Sequence, residues 1–220
     1  MLYLVATPIG NLEDLGLRAL RILKEVPLII CERPSHTLRL LSHFQITGKK
    51  LVAYSETGKA RQIPNILKLL KTQDAAFVSD AGTIAISDPG PELVSAAREQ
   101  GIQISSVPGP SSLTAAIALS GKRMNEFVFV GFLPKKQKKL RELIVNCSKQ
   151  EMTLIAFEAP HRIEKTLKFL QVHFPEKNIT LTSEISKIHE KVLEGTAQEL
   201  LGLLANDSKL KKGEFVLILG

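Results

Sequence analysis

The stretch Ala75-Ala76-Phe77-Val78-Ser79-Asp80-Ala81-Gly82-Thr83-Ile84-Ala85-Ile86-Ser87-Asp88-Pro89-Gly90-Pro91-Glu92 decides how the rest of this chain is read. Ala75 to Val78 are an unbroken apolar run of strand length, and the small residues Ser79 to Thr83 that follow let a backbone pass close to a ligand. Asp88-Pro89-Gly90-Pro91 then restarts the chain, with Pro91 suited to the first turn of a helix whose apolar stripe is Leu93, Val94 and Ala97. A strand, a small-residue loop and a helix start are the layout of a ligand crevice at the carboxyl edge of an open α/β sheet. An ordinary strand-to-helix connection has the same grammar, so the stretch needs support from its neighbours.

Towards the N-terminus the pattern repeats. Leu2 to Ala6 read as a strand, Thr7-Pro8-Ile9-Gly10-Asn11 as a turn, and Leu15 to Glu25 as a helix with Asp14 as its cap. Leu28 to Cys31 and Leu51 to Tyr54 are further strands, each followed by a helix: one carries Leu38, Leu41 and Phe44, the other Ile63, Ile66, Leu67 and Leu70. On the other side, Gln103 to Val107 read as a strand, and an Ala- and Leu-rich helix ends near Gly121. Strict alternation of this kind implies a parallel sheet with helices on both faces. Beyond Lys122 the rhythm changes. Strands at Phe127 to Phe132 and Thr153 to Glu158 alternate with a very basic helix, Lys135 to Cys147, and a helix from His161 to His173. Ile179 to Ser183 and His189 to Leu193 are separated by too few residues for a crossover, so they should pair antiparallel. A helix at Thr196 to Ala205 and a strand at Glu214 to Leu219 close the chain. The expected architecture is α/β with two domains: residues 1–115 built on a mainly parallel sheet and residues 116–220 on a mixed one.

Composition narrows the class. The chain has 220 residues, 44% hydrophobic and 23% charged, with a net charge of +7 that favours a polyanionic partner. Its two cysteines, Cys31 and Cys147, show neither CxxC spacing nor histidine clustering, and His36, His161 and His189 have no metal-like spacing, so no metal is expected. The apolar run at Leu2 to Ala6 lacks preceding basic residues and no segment reaches the ~18 apolar residues of a membrane span, which makes a cytoplasmic protein the expectation. Gly-x-Gly-x-x-Gly, Gly-Lys-Ser/Thr and Gly-x-Ser-x-Gly are absent, which argues against nicotinamide, nucleoside-triphosphate and serine-hydrolase chemistry.

Six ordered motifs carry a family resemblance: Thr7-Pro8-Ile9-Gly10-Asn11; Ser79-Asp80-Ala81-Gly82-Thr83 with Ile86-Ser87-Asp88-Pro89-Gly90; Val107-Pro108-Gly109-Pro110-Ser111; Gly131-Phe132-Leu133-Pro134; Phe157-Glu158-Ala159-Pro160-His161-Arg162; and Gly213-Glu214-Phe215-Val216. Together they resemble the tetrapyrrole methylase superfamily, the class III S-adenosylmethionine-dependent methyltransferases. Within it they look most like the bacterial enzymes that methylate a cytidine ribose 2′-hydroxyl in small-subunit ribosomal RNA. The resemblance implies a homodimer with S-adenosylmethionine held in a cleft between two α/β domains. Carried over position by position, it implies cofactor contacts at Pro8, Ile9, Ala81, Gly82, Thr83, Ile86, Ser111, Ser112, Phe132, Phe157, Glu158 and Gly195. Small side chains there expose main-chain groups to the ligand, and Ile86 and Phe157 offer apolar surface.

A ribose hydroxyl is a weak acid, so a base is expected, with Glu158 and Glu32 as candidates; either can equally cap a helix or hold an arginine. Lys135, Lys136, Lys138, Lys139 and Arg141 form a cationic run suited to RNA phosphates of the ribosomal RNA or small subunit, or simply to a solvated helix face. Two loops depart from the resemblance. The ribosomal RNA enzymes usually read Glu-Asp-Thr-Arg-His-Thr where this chain has Glu32-Arg33-Pro34-Ser35-His36-Thr37, and a His- and Asn-rich segment where it has Tyr54-Ser55-Glu56-Thr57-Gly58. Both lie on the expected substrate side. Besides RNA 2′-O-methylation, they leave open methyl transfer to a tetrapyrrole or a protein, and RNA binding without turnover.

Overall fold

Ten strands and eight helices form in a computed structural model that describes residues 1–220, with the side chains of all but 208 and 209. Contacts divide the chain into two units, Met1–Ser111 and Ser112–Gly220.

The first unit has five strands, β1 (Leu2–Val5), β2 (Leu28–Cys31), β3 (Lys50–Ala53), β4 (Ala75–Val78) and β5 (Ile104–Val107). They pair in the order β3-β2-β4-β1-β5, all parallel. Strand alternation feeds two cores. Val5, Ile29, Cys31, Ala76 and Val78 pack against α1 (Leu17–Glu25) and α2 (Pro34–His43), whereas Leu2, Leu28, Ile30 and Phe77 pack against α3 (Lys59–Leu70) and α4 (Pro91–Glu99). Strands covered on both faces must be apolar throughout, and every residue of β2 and β4 is buried. Each such Ile, Leu or Phe contributes roughly 1.5–3 kcal/mol relative to exposure.

Helix α1 starts at Leu17 and not at Leu15. Asn11 accepts a hydrogen bond from the Glu13 N–H at 3.1 Å and opens a 3-10 turn, Leu12–Asp14, so Asp14 sits inside that turn and Gly16 is the N-cap position of α1. Leu15 is nevertheless buried, as its place in the apolar stripe requires.

The second unit begins with α5 (Ser112–Leu119) and continues through β6 (Phe127–Phe132), α6 (Gln137–Lys149), β7 (Thr153–Glu158), α7 (Pro160–His173), β8 (Ile179–Ser183), β9 (Lys191–Gly195), α8 (Ala197–Asn206) and β10 (Phe215–Leu219). Its sheet runs β6-β7-β10-β8-β9, with β6 and β7 parallel and the other pairs antiparallel. A mixed sheet and the antiparallel β8–β9 pair are what the short connection demanded. Leu154, Ala156, Leu181, Leu217 and Leu219 form one core with Leu140 and Ile144 of α6, Leu167 and Leu170 of α7, and Leu200 and Leu204 of α8. Strand β9 falls two residues later than its apolar residues suggested, because the chain turns at Glu184–Lys187 and Lys187–Glu190 before it can pair.

Candidate functional site

Topology brings two loops of the first unit together. Strands β1 and β4 are neighbours in register from Leu2↔Ala75 to Val5↔Val78, and their carboxyl ends lie side by side. The connection after β1 runs to β2 and that after β4 to β5, on opposite sides, which is where open α/β sheets bind ligands. The loops are then tied to each other. The Thr7 N–H donates to the Gly82 carbonyl at 3.0 Å and the Gly82 N–H to the Thr7 carbonyl at 2.9 Å. The Thr7 hydroxyl donates to the Ser79 carbonyl at 3.1 Å, and the Ser79 hydroxyl to that of Gly82 at 2.9 Å. A third loop joins when the Thr83 hydroxyl donates to the Pro110 carbonyl at 3.1 Å. Gly82 is required here: its φ is +81°, and a Cβ would sit 3.3 Å from Ile9 Cγ2. Ala85 and Ser87 also hold left-handed backbone, a cost that surrounding structure must impose and that is common at ligand sites.

Charge gathers on the β2 side. Because Cys31 pairs in register with Val78, the residues just beyond both strands face each other. Arg33 forms an ion pair with Asp80, whose side chain is 13% exposed. His36 Nδ1 lies 3.7 Å from Asp80 Oδ1. Burial, together with the negative charges of Glu32 and Asp80, pushes the Asp88 carboxyl up to about 6. A cavity of about 110 Å3 opens among Thr7, Pro8, His36, Arg39, Ser79 and Asp80. Among the described residues no group of three or more His, Cys, Asp or Glu is placed to hold a metal ion, and no helix is long and apolar enough to cross a membrane.

In the second unit Phe132 pairs in register with Phe157, and their rings meet edge to face at 5.8 Å, with Phe129 against Phe157 at 5.0 Å. Phe132 is half exposed, so this aromatic group presents a face. Glu158 lies behind it with its side chain fully buried. Its carboxylate accepts from the Ala159 N–H at 2.8 Å and the Thr166 hydroxyl at 2.6 Å, and it pairs with Arg162 Nε at 3.2 Å. That set of partners holds an arginine and ties the end of β7 to α7, a structural role of the kind raised for this residue.

Gly195 is placed elsewhere. It pairs with Ile179, Ile179 with Leu219, and Leu219 with Leu154, so it lies at the end of the sheet opposite to Phe132 and Phe157. The local reason for glycine is a capping box: Thr196 and Glu199 cap α8, and a Cβ on Gly195 would come within 2.7 Å of Glu199 Oε2. Lys135 and Lys136 precede α6 while Lys138, Lys139 and Arg141 lie on it, and all five are exposed.

Of the sequence candidates, Pro8, Ile9, Ala81, Gly82, Thr83 and Ile86 thus lie on two loops bonded to each other, and Ser111 follows the Pro110 carbonyl bonded by Thr83. Ser112 opens α5. Sequence reasoning passed over Asp80 and His36 as chemical groups. The signal needed was the adjacency of β2 and β4, which brings position 33 against position 80.

A profile of the family described as Tetrapyrrole (Corrin/Porphyrin) Methylases matches residues 1–201. The chain is 46% identical to "Ribosomal RNA small subunit methyltransferase I" of Xylella fastidiosa over 99% of its own length and 80% of the relative's. With the protein of the same name from Synechocystis it shares 41% identity over 100% of its length and 78% of the relative's. Among solved structures, diphthine synthase superposes with a TM-score of 0.78 over 100% of this chain and 89% of that one; at 14% identity this speaks to fold alone.

Proposed function

This chain belongs to the tetrapyrrole (corrin/porphyrin) methylase family, and on that premise we propose that it transfers the methyl group of S-adenosylmethionine to a ribose 2′-hydroxyl of small-subunit ribosomal RNA. Similarity to two small-subunit ribosomal RNA methyltransferases, over 99% and 100% of this chain, carries this reading. The exposed cations Lys135, Lys136, Lys138, Lys139 and Arg141 support it, since none of them forms an ion pair among the described residues and phosphates are their natural counter-charge.

The residues present suit S-adenosylmethionine. Pro8, Ile9, Ala81, Gly82, Thr83 and Ile86 offer main-chain groups and small apolar surface on loops already fixed by hydrogen bonds, and Gly82 leaves open the space a side chain would fill. Ser111 adds a hydroxyl on the same unit; on the second unit, taken by itself, Phe132 and Phe157 present an aromatic face suited to such a ligand. When bound, the cofactor supplies a methyl group already activated on a sulfonium. The protein's task is to orient the acceptor oxygen towards it, an effect worth roughly 7–11 kcal/mol when the geometry is held. Action as a homodimer in the cytoplasm belongs to the same proposal. The experiment is tritiated-methyl transfer to undermethylated small subunits and to free ribosomal RNA, with digestion to nucleosides. Label in a 2′-O-methyl nucleoside is expected; label in protein, in an added corrinoid, or nowhere would refute the assignment.

A further inference from the structure

We propose that Asp80 accepts the proton of the substrate hydroxyl through Oδ1 and that His36 relays it to solvent, a role that rests on the hydroxyl-methylating function proposed above. Asp80 Oδ1 is buried and makes no hydrogen bond among the described residues. Leaving a buried acceptor unpaired costs about 1–3 kcal/mol, so such an atom calls for a partner that arrives from outside. Its sister oxygen Oδ2 is taken by Arg33, which fixes the plane of the carboxylate and leaves Oδ1 as the one oxygen on offer. Both Asp80 and His36 line the cavity of about 110 Å3 beside Thr7 and Ser79. That volume approaches the roughly 150 Å3 that admits a benzene ring, enough for a sugar hydroxyl and the atoms bearing it.

His36 supplies the exit. Its Nδ1 is 3.7 Å from Oδ1 and its side chain is 46% exposed, so it spans the distance between the buried oxygen and water. The charged and titratable groups around Asp80 are Arg33 and His36 from the start of α2, Cys31 just before it and Asp88 from its own loop, with Arg39 of α2 lining the same cavity. In the step proposed, the hydroxyl oxygen bonds to the methyl carbon as the S–CH3 bond breaks and the sulfonium becomes a neutral thioether. The O–H proton passes to Oδ1, and His36 then carries it to water and restores the carboxylate.

Asp80→Asn keeps the shape and removes the basic oxygen. Single-turnover methyl transfer to undermethylated small subunits, measured from pH 6 to 9, should slow by about 10²–10⁴ at neutral pH, the usual contribution of a general base, and recover about tenfold per pH unit as hydroxide substitutes. Affinities for S-adenosylhomocysteine by calorimetry and for RNA by filter binding should stay within threefold of the parent. His36→Gln should slow transfer less, and added imidazole should restore it. An Asp80→Asn rate within threefold of the parent, or a loss of S-adenosylhomocysteine affinity that matches the loss of rate, overturns the role of Asp80. Failure of imidazole to rescue overturns that of His36. A parent enzyme that labels no RNA overturns the functional reading and this inference together, whereas an active parent with an equally active Asp80→Asn overturns the inference alone.

Discussion

Replacing Glu158 with alanine tests whether this buried acid is scaffold or chemistry. The substitution deletes the acceptor of the Ala159 N–H and of the Thr166 hydroxyl and leaves Arg162, only 17% exposed, without its carboxylate. Breaking a buried ion pair costs about 3–5 kcal/mol because the surviving charge stays desolvated. Arg162 keeps a second partner, donating from Nη2 to the Leu133 carbonyl at 2.7 Å, which places the expected loss near the lower end, about 3 kcal/mol. Glu158→Gln preserves volume and one acceptor and should cost about 1–2 kcal/mol. Urea denaturation followed by circular dichroism reads both. The functional arm uses the glutamine variant, whose methyl transfer at saturating cofactor should stay within about tenfold of the parent, below the 10²–10⁴ of a lost general base. An alanine variant that loses less than 1 kcal/mol, or a stable glutamine variant slowed a hundredfold or more, would refute the structural role.

Three further outcomes are expected. Gly82→Ala forces a side chain into backbone of φ +81° against Ile9, so it should cost about 1–2 kcal/mol and weaken S-adenosylhomocysteine binding in calorimetry; an unchanged melting temperature and affinity would count against the clasp. Asp88 has its pKa raised from 3.8 to about 6, so its contribution to stability is fully present below 3.8 and is lost as pH rises through about 6. Asp88→Asn, which mimics the protonated form, should therefore raise the melting temperature at pH 8 and not at pH 4; with solvent screening of this half-buried group the gain is about 1 kcal/mol, and an equal effect at both pH values would contradict it. Neutralising Lys135, Lys136, Lys138, Lys139 and Arg141 together should flatten the log–log salt dependence of RNA binding by about 3 to 5, and an unchanged slope would remove them from the interface.

Much of the fold was legible because apolar runs of strand length announce themselves. The apolar runs Leu28–Cys31, Ala75–Val78, Phe127–Phe132, Thr153–Glu158 and Ile179–Ser183 occur as strands at those bounds. Helix starts were less legible: Asn11 opens a 3-10 turn ahead of α1, which then begins only at Leu17, and Lys136 stays extended so that α6 begins only at Gln137. The candidate site was half visible. Small residues flagged the loops after β1 and β4, but their mutual hydrogen bonds depend on strand order, which periodicity does not encode. The same holds for Arg33 and Asp80, 47 residues apart in the chain. Gly195 shows the converse, since a glycine carried over for a ligand contact has a sufficient local cause in the Glu199 side chain beneath it.

The paired main-chain bonds between Thr7 and Gly82 carry an evolutionary consequence. Because that clasp uses peptide groups, drift in most neighbouring side chains leaves it closed. The segment from Glu32 to Thr37 contributes neither of those bonds, so a change at an exposed position there such as Ser35 leaves the clasp closed. A lineage can thus vary that side of the loops through a handful of codons while the clasped backbone is inherited intact.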